Sequence, residues 1–560
     1  MSGNAPDFSK AGKAAMAAKA AKSANATRQD LTISARQEIL RTVIGKTSRS
    51  PFLWSLDRQQ KTECQLLIKK MHQSFWSAKE KSGIGLGDDS DLNSVASGAE
   101  ANACEQQLLR IAAEVYGFSL PVGIADHAEP EGSSPLMQQL AGVEFELWTA
   151  MLDSAGEDAP TDQVQVAQVA QERFEALVRD LLDQDGWIEG FAIKDWGLLA
   201  ASWCRSHQLL RAMHIQVDGE TELQLTEMVE QLLRNSRSDG SLLHNAKGTG
   251  LNGNAFRKAV SRQWANGFSR KVLSDELQPS TRAPATTSVS EWAQVGVIRR
   301  DWKPSSAKVG FTFDQHRVGL DIDNGQTLCI GDCSPQIKIN GEVVNPSDEI
   351  GVSCRLRFDE AEYVELEIEY DEWKLQRQIL LFTDDLLLYI ADNLVGKEAG
   401  NIEYRCEYPL GPEQQIVRET ETNEFYLKNG DRYCLVLPLS FPEWKTENRS
   451  QEFKFEEDRF AVEQQVSGLG MSVPLIVDLS PKRSMQPRTW RRLTVAEQMQ
   501  TVGSDIAVAY RVQIGKQQWL FYRTLAEPES RTFLGQNFAD DFYVARIDLE
   551  GTIESILEIE

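Results

Sequence analysis

The spacing of apolar residues changes its period once along this chain, and the change divides what can fold on either side. Up to about Ser269 the spacing is helical: Leu66, Leu67, Met71 and Phe75; Leu108, Leu109, Ala112 and Val115; Phe174, Leu177, Val178, Leu181 and Leu182. Residues three and four apart share one face of an α-helix. Beyond the polar, proline-marked stretch 274–288 the period becomes two. Val364, Leu366, Ile368 and Tyr370 alternate with Glu365, Glu367 and Glu369, the pattern of a strand with one face in a core and the other in water. At 560 residues the chain is too long for a single core. The expected organisation is an Ala/Lys-rich tail over 1–27, an all-α domain over 28–273, a linker over 274–290 and an antiparallel β-sandwich over 291–560.

Turn chemistry supports both halves. Asn-Gly pairs at 324–325, 340–341 and 429–430 sit between strand-like runs, and Asn-Gly tolerates positive φ at the centre of a hairpin turn. The Asp384-Asp385 break between two apolar runs predicts another hairpin with solvated carboxylates, and Glu550-Gly551 predicts the last one. In the helical half, Leu181-Leu-Asp-Gln-Asp-Gly186 is echoed by Leu232-Leu-Arg-Asn-Ser-Arg-Ser-Asp-Gly240. A two-helix repeat of this length is compatible with an α/α toroid.

Charge and composition narrow the function. The net charge is −24, yet the first 50 residues carry nine Lys or Arg against three acids, which leaves −30 on the rest. Such a field opposes nucleic acid and anionic membranes, so neither is an expected partner. No apolar run reaches the roughly 20 residues that span a bilayer, and no secretory signal is evident at the start, which places the protein in the cytoplasm. The eight cysteines lack Cys-x-x-Cys spacing, and no His-Glu-x-x-His motif is present, so no metal or cofactor is expected. Cys329 and Cys333 read as reduced, buried residues. The alternating glycines of 82–87 lack a following Gly-Lys-Ser/Thr and precede two aspartates, which excludes a phosphate loop.

The order Val295-Gly-Val-Ile-Arg-Arg-Asp-Trp302, then Leu375-Gln-Arg-Gln-Ile-Leu-Leu-Phe382, then Leu388-Tyr-Ile-Ala-Asp392 resembles the β-sandwich half of heparinase II/III-type polysaccharide lyases. The resemblance covers roughly residues 160–560 and implies an α/α toroid followed by a β-sandwich. It further implies β-elimination on an acidic polysaccharide or oligosaccharide. The family's His-bearing sandwich strand falls at His316-Arg317, where a paired histidine is reduced to one, and no Asn-Trp toroid motif is evident. Among the chain's six histidines, His316 and His244 are the candidate catalytic residues, with Asn245 beside His244 in the loop after the echoed turn. His207 and His214 read as helix-face residues.

Arg317, Arg488, Trp490 and Arg491 are the candidate substrate-binding residues. Guanidinium suits carboxylate or sulfate, and indole suits the apolar face of a sugar. The cluster around Trp302, with Arg299, Arg300 and Lys303, has the same composition. The competing expectation is a noncatalytic cytoplasmic protein that binds glycans or docks a protein partner.

Overall fold

The computed structural model describes residues 134–153, 162–238, 240–244, 283–314, 316–445, 450–548 and 550–560, with a few isolated positions between them. The helical patterns at 66–75 and 108–115, the glycine stretch 82–87, the tail and most of the linker lie outside the described residues, as does Asn245. The chain divides into two compact units, one holding Asp195–Thr226 and the described residues before Leu182, the other holding Leu182–Lys194, Glu227–Thr249 and Ala265–Glu560. No described helix is long and apolar enough to cross a membrane.

The first unit is helical. α1 (Pro135–Gln139) runs through a π-helical turn, Leu140–Glu144, into α2 (Phe145–Asp153), followed by α3 (Asp162–Leu181) and α4 (Trp196–Ala212). The expected stripe on α3 is in the core: Phe174, Val178 and Leu181 are buried. A charge pair is buried with them. Arg205 on α4 donates through Nε to Glu144 Oε1 at 2.5 Å and through Nη2 to Oε2 at 2.8 Å, and Ser202 Oγ donates to the same carboxylate. A buried pair persists only when its remaining hydrogen-bonding capacity is met, and here a serine helps to meet it. His207 is buried and pairs with Glu222 at 2.5 Å. α5 (Gly219–Arg234) starts where Asp218 accepts from the Thr221 N–H at 2.8 Å, an N-cap.

The second unit is built of stacked antiparallel sheets. The first sheet holds β1 (Ser288–Ser290), β2 (Val295–Arg299), β3 (Lys308–Thr312), β4 (Gly319–Asp323) and β5 (Thr327–Asp332) in sequence order. The second opens with β6 (Pro335–Ile339), β7 (Glu342–Val344), β8 (Gly351–Arg357), β9 (Ala361–Tyr370), β10 (Trp373–Phe382) and the 23-residue β11 (Leu387–Pro409). It is completed by β12 (Gln415–Arg418), β13 (Phe425–Asn429), β14 (Arg432–Pro438), β15 (Gln451–Phe455) and the 20-residue β16 (Arg459–Asp478). β11 and β16 lie side by side at its centre.

The third sheet holds β17 (Arg488–Leu493), β20 (Ala507–Ile514), β21 (Gln517–Thr524), β24 (Phe542–Ile547) and β25 (Ile553–Ile559). A small fourth sheet is made by β18 (Ala496–Glu497), β19 (Gln500–Thr501), β22 (Arg531–Phe533) and β23 (Gln536–Phe538).

Layering departs from a two-sheet sandwich, because three cores separate the sheets. Phe311, Leu320 and Ile322 of the first sheet pack with Val364, Leu366 and Leu375 of the second. Tyr363, Leu380 and Tyr389 on the opposite face of the second sheet pack with Phe521, Phe542 and Trp490 of the third. Leu520 and Tyr543 of the third pack with Phe533 and Phe538 of the fourth. The half-solvated reading of β9 therefore holds only at its far end. Glu367 and Glu369 are partly exposed, whereas Glu365 is buried and accepts from Tyr363 Oη at 2.6 Å and Ser353 Oγ at 2.9 Å.

The turns follow their chemistry with two corrections. β6 and β7 are joined by Asn340 and Gly341, both at positive φ as expected. Between β13 and β14, however, Asn429 is still paired, with Arg432, so the turn sits at Gly430-Asp431 and only Gly430 has positive φ. The hairpin at Asp384-Asp385 forms, but Asp385 is buried and not solvated. It accepts from Trp519 Nε1, Gln517 Nε2 and Arg546 Nη2, each at 2.8 Å. Cys329 and Cys333 are buried thiols with sulfurs 3.9 Å apart.

Candidate functional site around His244

The echoed turn is built twice, 54 residues apart. After α3, Leu182 bridges Ile188, Asp183 N–H donates to the Trp187 carbonyl and Gly186 N–H to the Asp183 carbonyl. After α5, Ser236 bridges Leu242, Arg237 N–H donates to the Ser241 carbonyl and Gly240 N–H to the Arg237 carbonyl. Both glycines have positive φ, 79° and 86°, a conformation that glycine adopts without a Cβ penalty. The second copy delivers His244, itself at φ 65°.

His244 is held from its backbone: its N–H donates to Asp321 Oδ2 at 2.7 Å. The side chain is half-buried, and its Nε2 lies in the interior without a hydrogen-bond partner among the described residues. Gly310 on β3 makes this placement possible, since a Cβ there would stand 2.7 Å from Nε2. Burial, and after it the nearby charges of Arg237 and Lys194, bring the imidazole down to about 3. The ring is therefore neutral near pH 7.

Around it runs a buried network that spacing did not reveal. Arg237 donates to Asp321 and to the Leu242 carbonyl and lies 3.5 Å from Asp323. Lys308 on β3 lies 3.7 Å from Asp323 and donates to the carbonyls of Ser236 at 3.2 Å and Pro304 at 2.6 Å. Burial brings its ammonium down to about 8. Burial also pushes the Asp321 carboxyl up, against the pull of Arg237 and the His244 N–H. In sequence, Asp321 and Asp323 flank Ile322 with period two, the signature of a solvent face. The segment 236–244 covers that face, and no local pattern announces a cover from 80 residues away.

The other candidates are dispersed. His316 is exposed at φ 63°, its Nδ1 3.0 Å from the Asp348 carbonyl. Arg317 beside it is exposed and 3.9 Å from Asp332. Arg488 is shared by Glu424 and Glu419 at 2.9 and 2.8 Å. Trp490, expected to offer a face to sugar, is instead a core residue whose indole donates to the Phe441 carbonyl at 3.0 Å. Arg491 is exposed, opposite Arg511 across the β17–β20 ladder. In the Trp302 cluster the indole and Arg299 are internal, the guanidinium 5.3 Å from the ring centre and donating to the Leu233 and Arg234 carbonyls, while Arg300 and Lys303 are exposed. Among the described residues no group of three or more His, Cys, Asp or Glu is arranged to hold a metal ion.

The architecture is that of known polysaccharide-lyase structures. Heparinase III superposes with a TM-score of 0.54 at 12% identity, over 83% of this chain and 81% of that one. The BT4657 heparinase III with methylated lysines gives 0.53 at 11%, over 83% and 80%. Heparan sulfate lyase HepC from Pedobacter heparinus gives 0.50 at 12%, over 90% and 91%. No protein-family model matches the chain, and no curated protein matches it. At these identities the likeness is one of fold.

Proposed function

We propose that the chain acts on an acidic polysaccharide by β-elimination, with His244 as the proton-abstracting group and the second Asp-Gly turn as the platform that presents it. The observation that carries this reading is a neutral imidazole whose Nε2 has no hydrogen-bond partner among the described residues, near the charges of Arg237 and Lys194, in a fold shared with heparinase III and HepC. Elimination requires a base for the proton next to the uronate carboxylate, positive charge near that carboxylate, and a proton for the departing glycosidic oxygen. An imidazole titrating near 3 is a weak base in the empty protein. A sugar carboxylate bound beside it would favour its protonated form and raise that value towards the working range. His316 and Asn245 stay candidate catalytic residues and Arg317 and Arg491 candidate sugar contacts, and an α/α toroid is the arrangement inferred for the helical half.

Noncatalytic glycan binding is the second reading, favoured by the position of Nε2 against Gly310, inside the protein. Ultraviolet absorbance of the conjugated unsaturated sugar, followed over a panel of uronic-acid polysaccharides, separates the two. A rise abolished in His244→Ala is the expected result. A flat trace from folded protein across the panel sinks the lyase reading, and a rise that survives in His244→Ala removes His244 from it.

A further inference from the structure

The outer face of the third sheet sets two arginines against each other. Directly opposite residues of an antiparallel ladder share a face. Trp490, Val512 and Trp519 are buried towards the second sheet, so their neighbours Thr489, Arg491, Arg511, Gln513 and Gln518 lie on the other side. The register places Arg491 opposite Arg511, and Gln513 between Thr489 and Gln518. The fourth sheet packs on this side at the Leu493, Tyr522 and Tyr543 end. Beyond it Arg491 is exposed, and Arg511, Gln513 and Gln518 are half-buried.

Like charges opposite each other on a ladder, with Cβ atoms about 4.5–5.5 Å apart, are destabilising. Other arginines of this sheet and its cover are matched, Arg488 with Glu424, Arg531 with Glu497 and Arg546 with Asp385. Neither Arg491 nor Arg511 pairs with a carboxylate among the described residues; Arg511 donates through Nε to Gln518 Oε1 at 3.0 Å. Glu443, beside the same row, accepts from Thr489 Oγ1 at 2.5 Å. On a chain of −24, an opposed pair of this kind is complemented by an anion from outside. A guanidinium meets carboxylate or sulfate through parallel N–H donors, and the neighbouring amides donate to and accept from hydroxyls. An acidic sugar uses both sets. The aromatic residues of these strands are buried, so the rows offer no ring on which the bases of a single-stranded nucleic acid would stack.

We infer that Arg491 and Arg511, with Gln513 and Gln518, form a noncatalytic binding site for acidic oligosaccharide on the outer face of the third sheet. The site rests on the acidic-glycan reading but not on His244. His244 sits on the first sheet, and the second sheet lies between the two, with packed sheets about 10 Å apart. The test is calorimetric titration of the full chain with sulfated cellohexaose. This probe has no uronate and cannot undergo the elimination proposed for His244, so its result is independent of the ultraviolet assay. Binding is expected to weaken at least tenfold in Arg491→Gln/Arg511→Gln and to persist in His244→Ala. The thermal midpoint of the double variant should equal or exceed that of the native chain, because two opposed charges are gone. Unchanged binding in the double variant, no binding by the native chain, loss in His244→Ala, a lower thermal midpoint, or equal affinity for unsulfated cellohexaose or a hexaglutamate peptide would each overturn it.

Discussion

The two Asp-Gly turns share one backbone and carry different loads. In the first, Asp183 accepts from the N–H groups of Asp185 and Trp187 and from Ser290 Oγ, and the buried Trp187 indole donates to Ser288. Everything it gathers closes a structure. In the second, the matching position is Arg237, whose guanidinium reaches the two aspartates of β4, and the chain then turns to set His244 against Gly310. The backbone design is equal in the two and the side chains differ: a carboxylate that folds back on its own turn is replaced by a cation that reaches out to a strand, and Gly190 by His244. A repeated scaffold thus fixes geometry once and leaves side chains to decide whether the corner is mortar or site.

The sharpest way to break this contrast is Arg237→Ala, which leaves Asp321 and Asp323 buried with less compensation. A loss of about 3–5 kcal/mol in urea unfolding is expected, and much of it should return in Arg237→Ala/Asp321→Asn; no rescue would mean the pair is not the unit described. Next, Gly186→Ala would place a Cβ 2.1 Å from the Met228 nitrogen in addition to its positive φ, for an expected loss of about 3 kcal/mol.

The third prediction uses pH. His244 titrates near 3 folded against 6.5 unfolded, so the unfolded state takes up the proton first. Its contribution is intact above about 6.5 and is lost as pH falls towards 3. Between pH 7 and 5 the native chain should lose about 2 kcal/mol that His244→Asn does not lose; parallel curves for the two proteins would refute the neutral, buried imidazole. The smallest effect is expected from Gly240→Ala, about 1 kcal/mol for its positive φ. A loss equal to that of Gly186→Ala would show that the two turns differ less in their surroundings than their contacts indicate.

Much of this organisation was legible in the residues. The stripe on α3, the β9–β10–β11 hairpins and the repeated Asp-Gly turn follow from local periodicity and turn chemistry, which act within a few residues. What escaped is what distant segments cover. Glu365 and Asp385 read as solvated because their neighbours alternate or turn, but Tyr363 and Arg523 close over one and Trp519 over the other. Trp490 and Trp302 read as sugar platforms because basic residues surround them, a composition that a buried indole satisfied by a carbonyl shares. Of the candidate site, His244 was visible as a loop histidine, while Arg237, Lys308, Asp321 and Asp323 were hidden in ordinary strand and turn patterns.

The long pair β11–β16 has a mechanical consequence. Its register shifts between Val395 and Gly400, and the ring of Trp373 lies over both Gly396 and Gly400. Leu388 and Ile390 from β11 face one core while Leu387 and Tyr389 face the next. Neither core can open without lifting strands that the other needs. The second and third sheets should therefore exchange their amide hydrogens as one cooperative block, and the ribbon through both cores acts as a common keel.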